Sequence, residues 1–205
     1  MRRLLILILI LIFIPLCTLL TACSEEDDTH FPSMWNEIVC LLTDDQGQVK
    51  YMVTDEGEIY QVANTLFGQK PNTLFRVMCG YSINEGYATL YQTMSVHLLQ
   101  DSTACAVHDP TKVLSVWKSG SFINLHLAPL TQGGQHAWGY SLDSISDSRH
   151  CFLSLHHSQG KDPLSYTQET YASIPLSEMP QLAEGDSISL SIHTFNGIKT
   201  WNFKR

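Results

Sequence analysis

From residue 36 to its end the chain predicts an all-β protein, a small OB-like barrel followed by an antiparallel β-sandwich. Three observations predict it. Apolar and polar residues alternate with a period of two, most clearly in Ser187-Ile188-Ser189-Leu190-Ser191-Ile192, where every second residue is apolar and the rest are hydroxyls; such alternation belongs to strands with one buried face. Turn residues interrupt the alternation at short intervals, as in Asp44-Asp45-Gln46-Gly47 and Asp55-Glu56-Gly57. Beyond the N-terminal leader no long segment has a helical period, and only residues 177–183 read as a turn or two of helix before Gly185.

The first strand is expected over residues 37–43 and the second over 48–54, with a third over 58–62. Gly at the end of each intervening turn supplies the positive φ that closes a hairpin. Residues 74–81 form a fourth strand that alternates Phe75, Val77, Cys79 and Tyr81 on one face. After Gly86 a longer fifth strand, 87–100, places Leu90, Met94, Val96 and Leu98 on one side. Five strands joined by short turns fit a small closed barrel, here assigned to residues 36–104.

Residues 101–111 are polar, include Asp109-Pro110 and break the pattern, which marks them as the boundary between domains. Strands resume at 112–118 and 121–130. The latter turns Ile123, Leu125 and Leu127 inward and Phe122, Asn124 and His126 outward. Further strands are expected at 135–143, 149–157, 165–176, 186–193 and 199–203, and this spacing over residues 112–205 fits a sandwich.

The N-terminus carries an address rather than a fold. Arg2 and Arg3 precede an apolar run, residues 4–14, and a small-residue stretch, Leu20-Thr21-Ala22, ends at Cys23. That order is the order of a secretory signal, and its end resembles the lipobox of bacterial lipoproteins. The resemblance implies removal of residues 1–22 and lipidation of the Cys23 thiol, giving a membrane anchor in which each buried CH₂ contributes about 0.8 kcal/mol. The alternative, a transmembrane helix over residues 4–22, has Pro15 near its centre. Ser24, Glu25, Glu26, Asp27 and Asp28 lie directly behind the lipid Cys and resemble the tag that exports Bacteroidetes lipoproteins to the cell surface. Otherwise residues 23–35 read as an acidic, extended tether.

The formal charge of -8 includes the positive Arg2 and Arg3, so the chain without its leader is more acidic still. With no basic stripe interleaved with aromatics, the sequence gives a nucleic-acid backbone nothing to bind. Removing Cys17 with the leader and lipidating Cys23 leaves Cys40, Cys79, Cys105 and Cys151, an even number that permits disulfides. Cys40 and Cys79 nevertheless sit in strand-like apolar runs, where a free thiol behaves as a small hydrophobe. No C-x-x-C spacing supports a zinc ribbon or a redox site.

Leu41-Leu42-Thr43-Asp44-Asp45-Gln46-Gly47, Thr54-Asp55-Glu56-Gly57-Glu58 and Leu74-Phe75-Arg76-Val77-Met78-Cys79-Gly80-Tyr81 stand in the first half. Val113-Leu114-Ser115-Val116-Trp117, Phe122-Ile123-Asn124-Leu125 and Phe152-Leu153-Ser154-Leu155-His156-His157, with Gly160-Lys161-Asp162 behind it, stand in the second. Together with the lipobox and acidic tag, this order resembles the NigD-like lipoproteins of Bacteroidetes across nearly the whole mature chain. The resemblance implies an N-terminal OB-like domain and a C-terminal β-sandwich. It supplies no catalytic residue, and Leu155-His156-His157 departs from the Arg-His-Asn common in relatives.

Nine His residues invite a metal test. His126 and His136 flank residues 130–134 and could face each other across a hairpin, joined by either His156 or His157, since neighbours on a strand point to opposite faces. No H-E-x-x-H spacing backs such a site, so surface or hydrogen-bonded imidazoles are the plainer account. No G-x-S-x-G elbow or phosphate-binding glycine loop occurs. Asp44-Asp45 and Asp55-Glu56 fall at hairpin tips, where turn formation explains them. Trp117 and Trp138 would form a sugar-stacking platform if both faced outward from neighbouring strands, whereas aromatic strand residues, Trp201 included, more often fill a core. The expectation is therefore a non-enzymatic, surface-exposed outer-membrane lipoprotein without a cofactor or metal. It is anchored at Cys23 and binds a protein or polymer ligand in a bacteriocin, adhesion or envelope setting. Glycan capture through Trp residues, or less directly a metal-dependent hydrolase, stand as alternatives.

Overall fold

Alternation in the first half becomes five strands, β1 (Met34–Thr43), β2 (Val49–Val53), β3 (Ile59–Val62), β4 (Leu74–Asn84) and β5 (Tyr87–Leu98). The structure, a computed structural model, describes residues 33–66, 68–102 and 106–205. The readings at Cys23, at Ser24 to Asp28, on the leader and on Cys105 lie outside the described residues. β1 pairs antiparallel with β2 and β4, β2 with β3, and β4 with β5. β3 then closes onto β5 through the parallel pairs Gln61↔Tyr87 and Val62↔Ala88. Closure leaves no free edge among these strands and gives the pairing order of an OB-like barrel. The inward set of the period-two pattern, including Val39, Leu41, Met52, Val77, Cys79, Tyr81 and Leu90, fills it. Cys79 is a free thiol whose burial pushes its pKa up to about 11, as it does for free Cys151; Cys40 is also free and buried.

The second half supplies β6 (Lys112–Ser119), β7 (Phe122–Ala128), β8 (Leu130–Thr131), β9 (Ala137–Ile145), β10 (His150–Ser158), β11 (Tyr166–Thr167), β12 (Thr170–Pro175), β13 (Ser187–Thr194) and β14 (Gly197–Lys204). A single 3-10 turn, Leu176–Glu178, stands where a short helix is expected. One layer has the order β5-β12-β7-β6 and the other β14-β13-β10-β9. Ile123, Leu125, Leu127, Leu153, Leu155, Ile174, Ile188 and Leu190 pack in the core between them. Two ladders are parallel, β5 with β12 and β10 with β13. The second arises because the chain leaves β10, adds β12 to the other layer, and only then returns as β13, a crossover that a hairpin pairing would not need. The strand expected over 165–176 is split into β11 and β12.

Two features join the barrel to the sandwich. Residues of β5 up to Ser95 pair with β4, and Val96, His97 and Leu98 pair with β12, so one strand belongs to both assemblies. Asp101, Ser102 and residues 107–109 of the polar stretch also take part in the sandwich. Ser102 N–H donates to Tyr140 O at 2.8 Å, His157 N–H to Val107 O at 2.9 Å, and Asp109 N–H to His157 O at 2.9 Å.

Asn124 is expected to face outward, yet it is fully buried, because the outer face of the β12–β7 layer is covered by the barrel. There the Arg76 guanidinium on β4 donates to both carboxylate oxygens of Asp55 at 2.8 and 3.1 Å. It also donates to Ser173 Oγ and to Asn124 Oδ1, each at 3.1 Å, and lies 3.6 Å from the centroid of the Phe122 ring. The Arg76 and Asp55 side chains are 0% and 4% exposed, so Asp55 is an interior ion-pair partner rather than a solvated turn residue. Gly120, at φ +50°, lets the β6–β7 turn pass against the Asp55 carbonyl, with which any Cβ would collide. Asp44 does form its turn, accepting from the N–H groups of Gln46 and Gln48 at 2.9 Å; the Gln48 bond chiefly holds its carboxyl below the usual range.

Candidate functional site

The connection from β8 to β9 and the loop from β10 to β11 meet at one edge of the sandwich. Thr131, at the end of β8, donates its hydroxyl to Asp162 Oδ2. Gln132 N–H donates to both Asp162 oxygens at 3.1 Å. Gly134 makes room for this carboxylate, since a Cβ there would lie 2.6 Å from Asp162 Cγ. These donors, the Thr131 hydroxyl foremost, hold the Asp162 carboxyl below its ordinary pKa even though burial opposes them.

A chain of rings runs from that carboxylate into the protein. His136 Nε2 lies 3.0 Å from Asp162 Oδ2, His136 Nδ1 lies 2.9 Å from His157 Nε2, and His157 Nδ1 lies 3.0 Å from the Asp109 carbonyl. Both ends are acceptors, so each outer ring nitrogen carries a proton, and the central contact needs a third. Two neutral imidazoles carry only two. The neutral pair therefore places both of its protons on the outer acceptors, Asp162 and the Asp109 carbonyl. Burial, ahead of the opposing Asp109 carbonyl bond, drives His157 toward its neutral form. Trp138 lies flat on His157, with centroids 3.9 Å apart and planes 13° from parallel.

In front of this wall lies a cleft of about 410 Å³, lined among others by His97, Thr131, His136, Trp138, Gln168 and Thr170. Its volume suits a small ligand or the projecting side chains of a larger one. Its walls offer an indole and imidazoles together with amides and hydroxyls.

A second relay ties Ser102 and His108 to the outer face of β9 and β10. His156 Nδ1 lies 2.9 Å from Ser102 Oγ and its Nε2 lies 2.9 Å from Ser141 Oγ. Ser141 and Ser154 each donate to Asp143 at 2.6 Å. His108 stacks on His193 and meets His156 edge-on. Asp143 reaches His156 through the Ser141 hydroxyl. The relay satisfies buried polar groups.

The residues singled out from sequence separate. Trp138 lines the cleft, whereas Trp117 stands on β6 opposite Asn124 in the other layer, and Trp201 packs against the core. Because β6 and β9 belong to different sheets, Trp117 and Trp138 do not build one platform. His126 donates to the Glu169 carboxylate at 2.9 Å and stacks on Tyr171 at 4.3 Å, away from the His136 wall. The His126–His136 pair required by the hydrolase alternative does not form, and among the described residues no group of three or more His, Cys, Asp or Glu is placed to hold a metal ion. Of the two histidines considered as a third member, His157 joins His136, and it does so as a hydrogen-bond partner. Asp162, Asp109 and His97 had no site role in the sequence reading. The Gly133-Gly134 pair was the available signal, since adjacent glycines permit a close approach such as the one Asp162 makes.

Residues 95–205 match the family model described as the NigD-like C-terminal beta sandwich domain. No curated protein matches the chain. Among solved structures, a NigD-like immunity protein from Bacteroides caccae superposes with a TM-score of 0.65 at 24% identity, covering 84% of this chain and 93% of that one. A protein of unknown function from Bacteroides vulgatus gives 0.67 at 14% identity, with 84% and 91% covered. A protein put forward as a lipoprotein from Bacteroides fragilis gives 0.59 at 11% identity, with 84% and 97% covered. At such identities the likeness is one of fold. Among the described residues no helix is long and apolar enough to cross a membrane.

Proposed function

Because the chain belongs to the family defined by the NigD-like C-terminal β-sandwich domain, we propose that it is a non-catalytic binding lipoprotein. In this reading a lipid at Cys23 anchors it to the outer membrane and the acidic run behind Cys23 directs it to the cell surface. The sandwich edge then presents the cleft at Trp138 and His136 to a protein ligand. The observation that carries the binding role is the construction of that wall. Trp138 is braced from behind by His157, which is held by the Asp109 carbonyl and by His136, itself held by Asp162. A rigid aromatic surface fixed before contact loses little entropy on binding, which is how interfaces place their anchors. The Bacteroides caccae structure with this fold is a NigD-like immunity protein, which supports a bacteriocin-type polypeptide as the ligand class.

Two measurements test this. In the native host, metabolic labelling with an alkyne fatty acid should mark the wild type and not Cys23→Ala, and protease added to intact cells should remove the protein; an unlabelled, protease-resistant wild type refutes the anchor and its orientation. For binding, a photo-crosslinker at Gln135 beside the cleft should give a discrete adduct on intact cells that Trp138→Ala abolishes. The same group at Lys204 should give none, and equal adducts at both positions refute the cleft as the binding surface. Trp138 in the cleft wall also favours a second reading, glycan capture, which predicts that wild type and not Trp138→Ala binds on a glycan array.

A further inference from the structure

A second cleft, of about 420 Å³, opens on the other side of the small β8–β11 ribbon. Leu130 and Thr167 line it, whereas their chain neighbours Thr131 and Gln168 line the first cleft. This follows from the pleat: successive strand residues point to opposite faces, so a two-residue ribbon becomes a partition between two cavities. The far wall is the start of β6 and the turn between β13 and β14.

Three features of this cleft converge. Lys112 and Lys199 both line it, no acidic residue does, and neither ammonium is engaged by a carboxylate among the described residues. In a chain of formal charge -8 that is a local reversal of sign. Val113, Leu130 and Phe195 give it an apolar surface, with Phe195 46% exposed. Thr111, also in its lining, is wholly buried, and among the described residues its hydroxyl is the one buried side-chain polar atom with no hydrogen-bond partner. A buried polar atom left unmatched is costly, and the general rule that such atoms are satisfied makes this one a marker of something that binds there.

We propose that this cleft is a binding site for a small organic anion, a carboxylate carried on an apolar or aromatic body. The carboxylate lies between the Lys112 and Lys199 ammonium groups and accepts from Thr111 Oγ1, while the body packs on Phe195, Leu130 and Val113. Lysines without an arginine fork act as point charges and favour a single compact head group over bidentate recognition. The apolar half of the lining separates such a ligand from inorganic phosphate.

The test uses the mature chain from residue 23 with Cys23→Ala, so that no detergent competes for an amphiphile, and 4-phenylbutyrate as the probe. Titration followed by methyl NMR should give saturable shifts at Val113 and Leu130 with a Kd on the order of 0.1–1 mM, the range open to so few ligand atoms. The neutral amide, 4-phenylbutyramide, should bind on the order of tenfold more weakly, as should the carboxylate to Lys112→Gln/Lys199→Gln. Thr111→Val separates binding from folding. Losing an unpartnered hydroxyl should leave the melting temperature of the free protein unchanged or raised, and should weaken phenylbutyrate binding several-fold. Trp138→Ala should bind the probe as the wild type does, so this site stands or falls apart from the first cleft. Equal affinity for acid and amide, absence of saturable shifts, or undiminished binding by Thr111→Val would overturn the proposal.

Discussion

His157 illustrates how one buried side chain sets both stability and surface. Burial drives His156, His157 and His193 toward the neutral form, in each case as the largest effect, and so lowers each below the ordinary imidazole value. A lowered folded-state pKa means that the unfolded chain takes up protons first. The stability tied to these three groups is complete above about pH 6.5 and is lost as pH falls through the lowered values. The melting temperature should therefore decline from about pH 6.5 to pH 5, and His156→Gln/His157→Gln should decline less steeply over that interval. A wild-type profile flat across this range would remove the account. From sequence, Trp138, His136 and His157 were legible as candidates because indole and imidazole side chains are chemically distinctive. Their assembly was not, since Asp162 arrives from a loop 26 residues away from His136 and is drawn there by backbone donors that side-chain spacing does not encode.

Among elements, the contact of β4 with β7, β12 and the β2–β3 turn is where sequence patterning stops being informative. Strands followed alternation closely, because burying one face imposes a period of two, and most boundaries fell within a few residues of the expected ones. Asn124 also kept its predicted facing, away from the sandwich core. Its burial came from a second body covering that face, and local periodicity carries no information about what lies beyond a sheet. Asp55 reads as a turn former for the same reason. Truncating Arg76 to Ala would leave Asp55 buried with Asn124 Nδ2, at 3.3 Å, as its side-chain donor among the described residues, and should destabilise the protein by about 3–5 kcal/mol. Replacing both partners, as Arg76→Met/Asp55→Leu, should recover most of that loss, because an apolar pair of similar size avoids the desolvation cost. Chemical denaturation of the two variants measures the difference, and a double variant as unstable as Arg76→Ala would show that the contact acts through packing rather than charge.

At the scale of the whole molecule the question is whether a barrel and a sandwich, with separate apolar cores, melt separately. Residues 33–205 form one compact unit, and the shared strand supplies a reason for them to melt together. Unravelling the barrel frees β5, and with it the Val96, His97 and Leu98 ladder that forms the margin of the β12–β7 layer. It also strips the cover from Asn124 and Ser173, both fully buried, and leaves them facing water across a surface shaped for Arg76. The matched family region begins at residue 95, just before β5 reaches β12, so a fragment of residues 95–205 keeps that ladder and loses only the cover. Calorimetry of the mature protein should accordingly show one transition, with calorimetric and van't Hoff enthalpies in agreement. The fragment should melt on the order of 10 °C lower, since several kcal/mol spread over a domain of this size corresponds to a shift of that order. Two resolved transitions in the intact chain, or a fragment as stable as the whole, would mean that β5 passes through both assemblies without coupling them.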